Sequence, residues 1–194
     1  MELRPLLAVV ACCLLIGALT SIASAGSIRY SDKNGSDNFT RLDFSGGFGT
    51  VECEVRLEGS LHTSTMTKTV NSLIGYVTAG SVTRCARGSA TINRESLPWH
   101  RRYRGFTGTL PNITSLSETV VGGEWTVREP TFGVTCTVRA AESSLIGTYT
   151  VSGGTITQAS VSGRSRCGSF ESEVRGSTTN VGTPTGARIT VTLI

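Results

Sequence analysis

The sequence predicts an all-β domain, an antiparallel β-sandwich or barrel of about 8–10 short strands stapled by two disulfides. Three observations carry that expectation. Apolar and polar residues alternate with period two in several separate stretches. Gly-rich turns divide those stretches. A cysteine frame, V-x-C-x-V-R followed by R-C, occurs twice: Val51, Cys53, Val55 and Arg56 lead to Arg84-Cys85, and Val134, Cys136, Val138 and Arg139 lead to Arg166-Cys167. Only residues 67–74 are open to a helical turn.

The chain begins with the pattern of an export signal. Arg4 supplies a positive start, residues 6–19 are almost wholly apolar, and Ala23-Ser24-Ala25 gives a small-x-small cleavage site. The apolar run, about 14 residues, falls short of the roughly 20 that span a bilayer. Residues 1–25 are therefore expected to be a signal peptide and residues 26–194 a single secreted β domain, with 26–44 open as an N-terminal extension. No later stretch is apolar enough for a transmembrane segment. Of six cysteines, cleavage removes Cys12 and Cys13. The remaining Cys53, Cys85, Cys136 and Cys167, an even set in an exported chain without C-x-x-C, read as two disulfides rather than as metal ligands or catalytic thiols.

The strands follow from the alternation. In 51–57, Val51, Cys53, Val55 and Leu57 point one way and Glu52, Glu54 and Arg56 the other. In 134–139, Val134, Cys136 and Val138 alternate with Thr135, Thr137 and Arg139. In 189–194, Ile189, Val191 and Leu193 point inward. Further strands are expected at 73–83, 90–93, 99–107, 118–128, 147–152, 155–161 and 169–175. Ser152-Gly153-Gly154-Thr155 is a two-residue hairpin signal. Four cysteines allow three connectivities. A hairpin tip at Gly153-Gly154, with about four residues looped out within 140–144, brings Cys136 opposite Cys167. Cys53 and Cys85 meet likewise across a turn near residues 66–71. Cys53–Cys85 and Cys136–Cys167 are thus preferred.

The formal net charge is +4, and 16 of the 18 basic residues are Arg, with only Lys33 and Lys68 beside them. Within 84–104 lie Arg84, Arg87, Arg94, Arg101, Arg102 and Arg104 against one acid, Glu95. On a strand, His100, Arg102, Arg104 and Phe106 share one face, and Trp99, Arg101 and Tyr103 the other. Trp99, His100, Arg101, Arg102 and Arg104 are the candidate binding residues, and an anionic polysaccharide or other envelope component is the candidate partner. The competing reading is a solvated strand face with Trp99 and Tyr103 in the core. Sequence-specific nucleic-acid binding has no motif behind it.

No catalytic residue is assigned. His62 and His100 are the only histidines, too few for a three-His zinc site, and neither H-E-x-x-H nor G-x-S-x-G occurs. Residues 32–43 place oxygen-bearing side chains as a calcium loop does. Their Gly35 stands at the fourth place instead of the sixth, and Asn34-Gly35 is more simply a turn. No metal or cofactor is expected. Asn34, Asn38 and Asn112 match the N-glycosylation pattern.

The stretch L-P-W-H-R-R-Y-R-G-F-T-G-T-L-P-N-I-T at 97–114, with C-E-V-R-L-E-G-S-L-H at 53–62 and S-L-I-G-Y-V-T at 72–78, resembles uncharacterised secreted proteins of actinobacteria. The resemblance spans roughly residues 51–136 and implies export from a high-GC bacterium. It brings no activity, cofactor or catalytic residue. The leading expectation is a secreted or cell-surface-associated, non-enzymatic β domain that binds an anionic envelope component or glycan. One alternative is a small secreted hydrolase with chemistry around Glu95 and His100. Another is a structural or adhesive interaction module.

Overall fold

A computed structural model describes residues 26–109, 111–140 and 145–194. The expected leader at 1–25, and residues 141–144 of the expected bulge, lie outside these. The strands are β1 (Ser27–Tyr30), β2 (Asn34–Gly46), β3 (Gly49–Leu61), β4 (Thr65–Thr67), β5 (Leu73–Cys85), β6 (Ser89–Ile92), β7 (Trp99–Thr109), β8 (Asn112–Val121), β9 (Glu124–Glu129), β10 (Val134–Ala140), β11 (Leu145–Ser152), β12 (Thr155–Cys167), β13 (Phe170–Thr178), β14 (Val181–Gly182) and β15 (Val191–Leu193). One 3-10 turn, Arg94–Ser96, precedes β7. Residues 67–74 form no helix; they end β4, turn, and begin β5.

Eight strands close on themselves. Each pairs antiparallel with the next in the order β2, β3, β5, β7, β8, β11, β12, β13, and β13 pairs back onto β2. This is an up-and-down barrel, the closure that leaves no free sheet edge in the ring. Residues 26–44 are not an appendage, since they supply β1 and most of the barrel strand β2. The expected strand at 118–128 is two strands, because Gly122 (φ 94°) and Gly123 turn the chain between β8 and β9. The hairpin at Ser152–Thr155 forms as expected, with Gly153 and Gly154 both at positive φ and Ser152 paired with Thr155.

An extension of the barrel sheet packs at one end of the barrel and a separate three-stranded sheet at the other. At one end β10 pairs with the last residues of β12, β9 with β10, and β6 with β9. This flap packs Trp125, Val127 and Val138 against Phe44, Val51 and Trp99. At the other end β1 lies between β15 and β4, and Ile28, Tyr30, Met66 and Val191 pack with Leu61, Ile74, Leu116 and Ile156.

Both disulfides belong to the flap end. Cys53 and Cys85 are direct cross-strand partners on β3 and β5. Cys136 joins Cys167, whose register partner is Val138, two residues along β10. The expected connectivity is the one present.

Candidate functional site

Alternation along the barrel strands sends one set of side chains inward. On β7 that set is Trp99, Arg101, Tyr103; on β8 it is Leu116, Glu118, Val120; on β11 it is Leu145, Gly147, Tyr149, Val151. Trp99, Val120 and Leu145 belong to the flap-end core, and Tyr103, Leu116 and Val151 to the other. Between the two apolar layers lies a polar belt of Arg101, Glu118, Tyr149 and, from β2, Asp37.

The belt is a connected network. Arg101 Nε donates to both oxygens of Glu118, at 2.9 and 3.0 Å, and Nη2 lies 2.8 Å from Oε2. These side chains keep only 11% and 6% of their exposure. Nη2 also reaches the Tyr149 hydroxyl at 3.3 Å, and that hydroxyl donates to Asp37 Oδ2 at 3.0 Å. Gly147 faces Glu118 across the β8–β11 ladder, and a Cβ there would lie 3.1 Å from Glu118 Cγ. A larger residue would press on the carboxylate.

Burial sets the electrostatics. Desolvation is the largest influence on Asp37 and raises its pKa from 3.8 to about 6; Arg101 and the Tyr149 hydrogen bond oppose the rise, while Glu118 adds to it. Desolvation also raises Tyr149 well above the ordinary tyrosine value and raises Tyr30. For Arg101 desolvation works against the charge, but Glu118 and the other acidic neighbours outweigh it and the guanidinium stays protonated.

A cavity of about 80 Å³ adjoins the belt. Arg101, Glu118, Asp37 and Tyr149 line it together with Phe39, Trp99, Trp125, Ile156 and others of both apolar layers. Its lining also includes Asp32, Lys33, Asn34 and Glu58, near the start of β2 and the end of β3, of which Lys33 and Asn34 are exposed. Trp125, 1% exposed, lines the cavity and carries an indole N–H with no hydrogen-bond partner. Its neighbour Trp99, with ring centroids 4.9 Å apart, donates to Ser96 Oγ at 2.9 Å.

The sequence-derived candidates divide between the two faces of β7. Trp99 is buried in the core and Arg101 in the belt, so neither reaches an external polymer. His100 and Arg104 are exposed and Arg102 is half-buried on the outer face. A bulge between Tyr103 and Gly105 reverses the alternation, so Phe106 pairs with buried Leu116 and packs inward instead of joining the arginines. Of the six arginines at 84–104, Arg84 pairs with Glu54 and Arg101 with Glu118.

Glu95 and His100 are both exposed, and neither lines the cavity. Residues 32–43 run mostly as strand β2 rather than as a loop. No group of three or more His, Cys, Asp or Glu side chains able to hold a metal occurs among the described residues. Sequence reasoning missed Asp37, Glu118, Tyr149 and Trp125. The available signal was a charge on the apolar phase of a strand, Arg101 between Trp99 and Tyr103 and Glu118 between Leu116 and Val120. No family model, curated protein or solved structure matches the chain.

Proposed function

We propose that this is an exported, non-enzymatic binding protein whose barrel interior receives a small, neutral molecule by its carbonyl group. The observation that supports this most is the uncommitted buried donor Trp125 N–H, on a residue that lines an apolar cavity inside an eight-stranded barrel. Barrels of that size have an interior just wide enough to be filled by side chains or to hold one small ligand. A buried donor without a partner costs about 1–3 kcal/mol, which an acceptor on the ligand recovers. Two disulfides fit an oxidising compartment outside the cytoplasm.

Charge selects neutrality. The belt sets two carboxyl groups, Asp37 and Glu118, against one guanidinium, Arg101, which disfavours a carboxylate ligand. Size limits affinity. The cavity is about half the roughly 150 Å³ that takes benzene, so about three non-hydrogen atoms are enclosed. At a ceiling of about 1.5 kcal/mol per atom, such a group binds no tighter than about 0.5 mM. Anything longer would extend past the exposed lining residues Lys33 and Asn34.

Titration with 2-butanone, followed through the two indole N–H signals in ¹⁵N NMR spectra, tests this. A saturable shift of the Trp125 signal, with weakened binding in Trp125→Phe, is expected. An unmoved Trp125 signal at about 100 mM ketone, far above the roughly 0.5 mM that size permits, would overturn the reading.

A further inference from the structure

We infer that the outer faces of β5 and β7, with the loop leading into β5, dock on an anionic lipid surface. Val70, 67% exposed, stands on that loop, and Leu73, 41% exposed, begins β5 opposite Arg102. The loop is held in place. Asn71, at φ 68°, donates its N–H to Tyr103 O at 2.7 Å; Tyr103 N–H donates to Ser72 O at 2.9 Å; and Ser72 Oγ donates to Thr69 O at 2.7 Å. Val70 is therefore presented on a fixed turn.

Cations share this surface, and Arg102 is the register partner of Leu73. Lys68 lies 5.6 Å over the Phe106 ring, Arg102 reaches only Asn71 Oδ1 at 3.4 Å, and Arg104 is the extra residue of the β7 bulge, where it is exposed. None of the three is in an ion pair among the described residues, and Arg102 Nε is buried with no partner. Elsewhere Arg41, Arg56, Arg84, Arg139 and Arg175 each hold a carboxylate. On the patch's borders Glu58 is engaged by Arg56 and Glu118 faces the interior.

Tyr76, its ring 5.0 Å from His62 and 5.4 Å from His100, adds an amphipathic aromatic group beside Leu73. Exposed aliphatic side chains sharing a surface with unpaired cations and an interfacial tyrosine match a lipid headgroup boundary. An anionic glycan would leave Val70 and Leu73 without a role, so the lipid surface is favoured.

Cosedimentation of the full secreted chain with vesicles tests this, comparing phosphatidylcholine alone with phosphatidylcholine containing phosphatidylglycerol. Binding to the anionic vesicles only is expected. It should weaken about fivefold for each of Arg102→Gln and Arg104→Gln and disappear in Val70→Asp. Raising salt from about 0.1 M to about 1 M, which shortens the screening length from about 10 to 3 Å, should release the wild-type protein without any substitution. Equal binding to both vesicle types, or none to either, would overturn the inference. So would binding to soluble polyglucuronate that Val70→Asp leaves unchanged, since that outcome assigns the cations to a glycan.

Discussion

Arg101 and Glu118 meet diagonally across β7 and β8, each on the inward phase of its strand, and form a forked ion pair inside the barrel at 2.8–3.0 Å. Taking two charges from water is costly, and the pair is sustained by its geometry and by Tyr149 on the same guanidinium. Breaking it from one side leaves a charge buried alone. Glu118→Gln is therefore expected to destabilise the protein by about 3–5 kcal/mol, whereas Arg101→Met with Glu118→Leu is expected to be near neutral or stabilising. Urea denaturation of the three proteins checks the contrast. Equal losses in the single and double variants would show that the pair itself, not an orphaned charge, carries the stability.

Asp37 gives the belt a pH dependence of definite sign. Its native pKa, about 6, lies above the ordinary 3.8, so the folded state holds this proton more tightly than the unfolded chain does. The contribution to stability is fully present below about pH 4 and is lost as pH rises to 6 and beyond. Asp37→Asn should thus be more stable than wild type at pH 7–8, by on the order of 2–3 kcal/mol, with the advantage shrinking towards pH 4. Denaturation midpoints of both proteins across that range supply the test; a constant difference would refute it.

Gly147 leaves the space that Glu118 occupies. A methyl group there meets Glu118 Cγ at 3.1 Å, so Gly147→Ala should cost about 1–3 kcal/mol, the usual range for overpacking. If the cost arises from the carboxylate, Glu118→Leu introduced together with it will alter the loss. Additive effects of the two substitutions would place the strain elsewhere.

The two disulfides close loops of nearly the same length, with sequence separations of 32 and 31. Loop entropy then assigns each about 3–4 kcal/mol. Cys53→Ser/Cys85→Ser and Cys136→Ser/Cys167→Ser should lower stability to a similar degree. A loss confined to one pair, in guanidinium titrations of the purified variants, would contradict that assignment.

The barrel wall was readable from the sequence because its strands obey simple alternation, and Val51, Cys53 and Val55 point as the pattern says. Period two also placed Arg101 on the Trp99 side of β7, although a charge on that phase reads as surface until its partner is known. That partner, Glu118, is 17 residues away on the next barrel strand, and single-strand periodicity carries no register between strands. The bulge at Arg104 was equally hidden. It inserts one residue without changing composition, and it turns Phe106 from the expected outer face to the inner one. Asp37 was read as part of a polar, turn-like stretch, because Asn34, Ser36 and Asn38 around it mask the strand.

The placement of both crosslinks at the flap end makes the barrel mechanically uneven. Cys53–Cys85 and Cys136–Cys167 clamp the layer around Phe44 and Trp125, whereas the opposite layer is closed by three strands of three or four residues. Local opening draws on regions with few buried contacts. Amide exchange should accordingly be fastest in β1, β4 and β15 and slowest in β3 and β12. Lys33 and Asn34, exposed residues of the cavity lining, directly follow β1, so fraying of this compliant end would open the cavity while the crosslinked wall stays shut. Exchange between the cavity and solvent is then expected to follow the breathing of three short strands and not the unfolding of the barrel.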